Sequence, residues 1–143
     1  MTGHAFQVLL TDQAVHQALG AVRAVLSEGG RFAFETRNPL AREWESWTPE
    51  RYSEVIDEGG HVVRMARQVQ AFDGSLLSFS HTFTSTDWPQ AEVSRSTLRF
   101  LAADPLNAAL VEARFSVEAQ HGDWAGSPVS AIAPEIITIA RLT

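Results

Sequence analysis

The five histidines are the side chains best suited to acid–base or metal chemistry, and their spacing limits that chemistry. No two of them lie four positions apart or within three residues of each other, so the chain contains no local histidine motif for a metal ion. The absence of cysteine excludes disulfides, thiolate zinc sites and cysteine nucleophiles. We therefore expect the chain to bind no metal ion. The one alternative left open is a metal site assembled from residues that are distant in the sequence. The histidines are His4, His16, His61, His81 and His121.

Two ionisable side chains interrupt an alternating apolar pattern in the middle of the chain. Arg67 lies among Val63, Met65, Val69 and Ala71, and His81 lies among Leu77, Phe79 and Phe83. Such groups are costly to bury unless they are paired. They therefore either line a pocket, with Arg67 binding substrate and His81 as the candidate general base, or lie near the sheet margin with the Arg67 head in water.

Polar residues also follow a short apolar strand pattern at Arg31–Glu35. A run that is apolar on both faces is typical of a buried parallel strand, and open α/β sheets bind ligands beyond the carboxyl ends of such strands. Arg37 and Asn38 are therefore candidate substrate-orienting residues. The alternative is that Asn38-Pro39 is ordinary turn chemistry and Arg37 is solvated.

The chain contains four tryptophans, which either pack in the interior or form an aromatic lid over a hydrophobic substrate. Three of them are candidate substrate-binding residues. These are Trp44, Trp47 and Trp124, and the fourth is Trp88.

Helical and strand periodicities surround these residues. Apolar positions at four- and three-residue steps predict a helix over about 12–28, capped by Thr11 or Asp12 and ended by Gly29-Gly30. Asp104-Pro105 predicts the cap and first position of a second helix. Strands are expected from Phe115 to Ala119 and from Glu135 to Ala140.

An antiparallel three-stranded meander is predicted over about 61–101. A loop of Phe72-Asp73-Gly74, with Gly74 in the left-handed conformation, keeps the apolar faces together and places Val69 opposite Leu77. Val93 to Leu101 would be the third strand.

Composition narrows the classes of protein. With 143 residues, 45% hydrophobic and 20% charged, the chain is expected to form a single globular domain, 1-143. A net charge of −6 and eleven scattered basic residues argue against a nucleic-acid partner. No apolar run approaches the roughly 20 residues of a membrane span, and the N-terminus lacks a basic flank. We therefore expect the chain to have neither a membrane segment nor a signal peptide. We expect it to be located in the cytoplasm.

Four sequence segments, in this order, carry a family resemblance: GGRFAFETRNP, LRFL before a helix, GDW and APEIITIAR. With these segments the chain resembles class I, Rossmann-like S-adenosylmethionine-dependent methyltransferases of the small-molecule type. The resemblance covers essentially the whole chain. It implies an α/β fold for the family, of which this chain alone would be α+β. The chain would form the C-terminal half of the methyltransferase sheet with its flanking helices, plus the inserted meander. The methyl acceptor is not indicated.

The resemblance also implies what this chain lacks. The family binds S-adenosylmethionine mainly with a glycine-rich loop and a carboxylate of the first half of the sheet, and no G-x-G occurs here. We therefore expect the chain alone neither to bind the cofactor tightly nor to turn over. By resemblance, residues 2–7 occupy a cofactor-facing loop, with His4, Phe6 and Gln7 as partial cofactor-binding residues. The alternative for these residues is a frayed terminus.

The same resemblance leaves the strand at 31–35 at a sheet edge, and unpaired edges recruit partners. We therefore expect a homodimer, or a complex with a separate N-terminal half, acting on a small molecule. The alternative function is a non-catalytic dimeric binding module for an apolar small ligand.

Overall fold

The chain divides into two units, and the computed structural model describes every residue from Met1 to Thr143. The first, here called the α/β unit, comprises Met1–Arg42 and Leu98–Thr143, and the second, the inserted unit, comprises Glu43–Thr97. The fold is mixed α/β with two sheets. In chain order the helices and strands are α1 (Asp12–Val25), β1 (Arg31–Arg37), β2 (Tyr52–Ile56), β3 (Val62–Phe72), β4 (Leu76–Ser85), β5 (Glu92–Arg99), α2 (Ala103–Glu112), β6 (Phe115–His121) and β7 (Glu135–Leu142).

Helix α1 begins at one of its two predicted caps. Thr11 has an extended backbone, and its hydroxyl accepts a hydrogen bond from the amide of Ala14 at 3.1 Å. Thr11 is therefore the cap, and Asp12 is the first helical residue. Val15 and Leu19 bury the apolar stripe that the periodicity predicts.

The predicted end of α1 is wrong. The helix stops at Val25, several residues before the double glycine. Gly29 does adopt a positive φ of 68°, but in a separate turn that the amide of Gly30 closes by donating to the carbonyl of Ser27 at 2.8 Å. The left-handed residue therefore turns the chain into β1 rather than ending the helix.

The start of α2 also differs from its prediction. The cap is Ala102, which makes no side-chain hydrogen bond to the helix, and the helix begins at Ala103. Asp104 therefore lies in the first turn, where a carboxylate is favourable near the helix N-terminus, and Pro105 follows it.

The sheet of the α/β unit has the order β1-β7-β6, and both strand pairs are antiparallel. The predicted strands at 115–119 and 135–140 are confirmed, and β7 is the central strand. The prediction of a parallel strand at 31–35 is wrong here, because the only sheet neighbour of β1 is the antiparallel β7. The other edge of β1 has no strand partner within the chain.

One face of this sheet forms the core with both helices. Phe34 of β1 and Ile136 of β7 are each 1% exposed, and Leu19 of α1 and Leu110 of α2 are fully buried. Neither helix is long and apolar enough to cross a membrane. The buried cluster consists of Phe6, Val15, Leu19, Phe34, Leu106, Leu110, Ala113, Phe115, Ile136 and Ala140.

The inserted unit holds a four-stranded sheet in the order β2-β3-β4-β5. Three of its strands fall where the meander is predicted. The fourth, β2, was not predicted, because all five of its residues are exposed and show no alternation of apolar and polar side chains.

The register of β3 and β4 has the predicted parity along part of its length, but not the predicted partner. Odd positions face odd positions only from Val63 to Val69, and Val69 lies opposite Phe79 rather than Leu77. Beyond Val69 the parity changes, and Phe72 faces Leu77. Two features account for the shift. The ladder is irregular between Val69 and Ala71, and Asp73 accepts hydrogen bonds from two following amides, so the loop moves one residue along the chain.

Gly122, which follows β6, offers a test of this packing. A Cβ atom there would lie 2.6 Å from the Cβ atom of Ala133 and 2.7 Å from the carbonyl oxygen of Pro128. We expect Gly122→Ala to lower the free energy of unfolding by about 1–3 kcal/mol, because a methyl group must be inserted into occupied space. Urea unfolding followed by circular dichroism measures the change.

Gly20 in α1 is the matched control, because a Cβ atom there meets nothing within 4 Å. Gly20→Ala is expected to raise the free energy of unfolding by about 0.5–1 kcal/mol, since alanine favours the helix. Equal effects at the two glycines would contradict the described packing around Gly122.

Candidate functional site

The first residues of the chain are tied to β1 by a buried carboxylate. Oε1 of Glu35 accepts hydrogen bonds from the amides of Gly3 at 2.5 Å and His4 at 3.2 Å, and Glu35 is only 6% exposed. The N-terminal ammonium donates to the carbonyl of Ala33 at 2.6 Å. The frayed-terminus alternative is therefore wrong. Residues 1–4 form a loop fixed at the carboxyl end of β1.

His4 pairs with Glu135 at this end of the sheet. Its Nε2 lies 2.9 Å from both carboxylate oxygens, and the two side chains are 22% and 17% exposed. When Nε2 donates to Glu135, Nδ1 of the neutral ring is an acceptor and can take up a proton. The backbone of His4 has a φ of 57°, a left-handed conformation that is uncommon outside glycine. The arrangement is chemically that of an oriented general base.

The other two predicted residues of this loop are buried. Phe6 stacks on Phe34 with ring centroids 4.4 Å apart. Gln7 is 1% exposed; its Nε2 donates to the carbonyl of Arg99 at 3.1 Å, and its Oε1 accepts from the amide and Nη1 of Arg37, each at 3.2 Å. Of the three residues, only His4 has a side chain that is partly exposed.

Asn38 joins the end of β1 to the loop before β7. Its Nδ2 donates to the carbonyls of Ser130 and Ala133, each at 2.8 Å, and its Oδ1 accepts from the amide of Leu40. These contacts match the turn interpretation of Asn38. Arg37, beside it, directs its guanidinium to Gln7 and is half-buried rather than solvated.

In the inserted unit, Arg67 and His81 lie directly opposite each other on β3 and β4. These are the two inner strands of the sheet, so the margin interpretation is wrong. The Arg67 guanidinium carbon lies 4.8 Å from the centroid of the Trp47 ring, and the His81 ring meets Phe79 edge-on at 5.1 Å. Both ionisable groups thus lie among aromatic rings.

The tryptophans divide into a buried pair and two exposed residues. Trp44 and Trp47 are 6% and 4% exposed and line a groove of about 490 Å³ within the inserted unit. Trp88 and Trp124 are 37% and 68% exposed. The structure therefore brings two of the predicted lid residues together, and places Trp124 in the α/β unit.

Sequence analysis did not single out the two carboxylates that organise the loop. Glu35 carried a signal, a charge inside an otherwise apolar strand, which is costly to bury unless it is hydrogen-bonded. Glu135 carried none, because its partner His4 lies 131 positions away in the sequence.

Gln7 allows the structural role of this loop to be measured. We expect Gln7→Met to lower the free energy of unfolding by about 1–3 kcal/mol, because the Arg37 amide and the Arg99 carbonyl lose a buried partner. Gln17→Met on the exposed side of α1 is the control, with an expected change within about 0.5 kcal/mol. Thermal or urea unfolding reports both, and equal stabilities would show that the Gln7 contacts are dispensable.

No family model and no curated protein sequence matches the chain. Solved structures do. An S-adenosylmethionine-dependent methyltransferase from Clostridium acetobutylicum matches with a TM-score of 0.75 and 14% identity, over 99% of this chain and 56% of that one. The CcbJ methyltransferase from Streptomyces caelestis gives 0.73 and 17%, over 99% and 58%.

A third structure is that of CalS10, an amino pentose methyltransferase from Micromonospora echinaspora with bound S-adenosylmethionine. It matches with a TM-score of 0.69 and 19% identity, over 99% of this chain and 57% of that one. The chain thus spans slightly more than half the length of the structures it matches. The prediction of a partial methyltransferase fold is confirmed: this chain has the fold of a part, just over half, of the class I S-adenosylmethionine-dependent methyltransferases.

Proposed function

We propose that this chain is the substrate-side, C-terminal part of an S-adenosylmethionine-dependent methyltransferase that acts on a small molecule. The observation that carries the proposal is the match of 99% of the chain to methyltransferases at TM-scores up to 0.75, although sequence identity is low. One matched protein is described as an amino pentose methyltransferase, which agrees with a small-molecule acceptor.

In this proposal the residues of the chain supply only one edge of the cofactor site. The amides of Gly3 and His4 already donate to Glu35, and the side-chain amide of Gln7 is used by Arg37 and Arg99. These donors are therefore not free to hold the carboxylate of S-adenosylmethionine. No G-x-G sequence offers a backbone cradle for the rest of it. We expect the chain alone not to bind the cofactor tightly.

The acid–base work is assigned to His4. Glu135 fixes the ring through Nε2, and Nδ1 accepts a proton from the hydroxyl or amine that receives the methyl group. The cofactor supplies the methyl group as a sulfonium, and transfer depends on holding the two reactants in line.

The remaining half of the cofactor site would come from a separate N-terminal half, whose strands would be added along the edge of β1 that has no strand partner within the chain. A second copy of this chain is the other candidate for this edge. The carbonyl of Ala33 accepts from the N-terminal ammonium rather than from β7, so the backbone groups of Ala33 face this edge. A sheet edge of this kind pairs readily with another strand.

Titration calorimetry with S-adenosylmethionine tests the proposal. We expect no saturable binding to the chain alone, and saturable binding once a candidate N-terminal half that carries the glycine-rich loop is added at equal concentration. Tight binding to the chain alone would refute the one-edge assignment. Failure of the mixture to bind, where the partner is folded, would count against a methyltransferase function.

A variant at the edge of β1 identifies where the second half joins. Ala33→Pro removes one edge-facing N–H group and leaves the ladder to β7 intact, so it is expected to weaken binding in the mixture at least about tenfold. Ala33→Ser keeps that N–H group and is expected to leave binding within about twofold of the parent. Binding by Ala33→Pro that equals binding by Ala33→Ser and the parent would place the junction elsewhere.

A further inference from the structure

The groove of the inserted unit has the size and lining of a small-molecule site. Its volume is about 490 Å³, within the range of roughly 300–1,000 Å³ that such sites occupy. The indole rings of Trp44 and Trp47 form its apolar walls, together with Pro49 and Val69. All of its lining residues belong to the inserted unit, so the groove is complete within that unit.

Both indole rings are fixed by aromatic neighbours. The Trp44 ring packs on Phe72 with centroids 4.7 Å apart, and the Trp47 ring meets Phe79 at 5.0 Å. Aromatic pairs at these distances are favourable contacts. The walls are therefore in place before a ligand arrives, which reduces the ordering cost of binding.

A cation already uses one of these rings. The guanidinium carbon of Arg67 lies 4.8 Å from the centroid of the Trp47 ring, inside the ~6 Å range in which an aromatic face attracts a positive charge. The contact shows that one face of the Trp47 ring attracts a cation. A cationic ligand at that face would compete with Arg67, which is not among the residues that line the groove.

Part of the polar lining carries negative charge, and Thr48 and Gln68 supply the neutral part. Two carboxylates, those of Glu45 and Glu50, line the groove. Hydrogen bonds from its own backbone amide and from the Thr48 hydroxyl lower the pKa of the Glu50 carboxyl below its ordinary value. A glutamate is ionised at neutral pH without this shift, so Glu50 carries a full negative charge there. The inserted unit contains nine acidic and four basic residues, a formal charge of −5, against −6 for the whole chain. Its field therefore favours cations.

We propose that this groove binds a small organic cation, an ammonium group with apolar substituents, between the indole walls and the carboxylates of Glu45 and Glu50. Apolar rings alone would accept any hydrophobic molecule, and carboxylates alone would accept any cation. The two together select a positively charged group that is weakly hydrated. The site does not depend on methyl transfer, and its binding is measurable without S-adenosylmethionine.

Choline and its neutral isostere 3,3-dimethyl-1-butanol separate charge from shape. Titration calorimetry of the full chain is expected to show saturable choline binding in the millimolar range or tighter. Choline should bind about 3- to 30-fold more tightly than the alcohol, the range that a cation–π contact provides. Equal affinity for the two, or no binding of choline, overturns the proposal.

Two variants and one control locate the site. Glu50→Gln is expected to weaken choline binding about 2- to 5-fold and to leave the alcohol unchanged, because only the charge is removed. Glu58→Gln, an exposed acidic residue outside the groove, is expected to change neither. Arg67→Met is expected to strengthen choline binding about 2- to 5-fold, since it frees the Trp47 face of its competitor. Weaker binding with Arg67→Met, or equal losses at Glu50 and Glu58, places the cation elsewhere and refutes the assignment.

Discussion

The α/β unit depends on β7, the strand that makes every sheet pairing of this unit. It pairs with β1 on one side and β6 on the other, and it contributes Ile136 and Ala140 to the core. Ile137, on its other face, is only 4% exposed. The ladder to β1 also sets Glu135 opposite Arg37, which brings this carboxylate to the end of the sheet where His4 is held. The geometry of the candidate base is thus a consequence of a backbone register.

Three buried polar side chains hold the loops at this end of the sheet in a fixed arrangement. Glu35, Gln7 and Asn38 are 6%, 1% and 1% exposed, and each bonds to segments distant in the sequence. Buried polar groups stabilise a unique arrangement only when their hydrogen bonds are satisfied, and the described contacts of these three meet that condition. The network holds the loop that carries His4, the proposed base, on a rigid scaffold.

Local signals in the sequence predicted the positions of helices and strands better than they predicted which distant residues contact each other. The Thr11 cap acts over three residues and was predicted, because its hydrogen bond is decided within one turn. The partner of Val69 was not, because the irregularity that follows it leaves no mark on the apolar pattern. His4 was a candidate only through the family resemblance. Its pairing with Glu135 spans 131 positions and is created by the fold alone.

The core of the α/β unit draws no residue from Glu43–Thr97. Most mutations in a protein are tolerated as long as stability stays above the threshold needed for folding. Exposed positions of the inserted unit can therefore change without altering the contacts of that core, while the unit's own buried residues, such as Leu77 and Phe79, are constrained by packing. The architecture thus separates the residues that must be kept from those that selection can revise. A change of ligand contacts in the inserted unit would therefore not require a change in the core of the α/β unit.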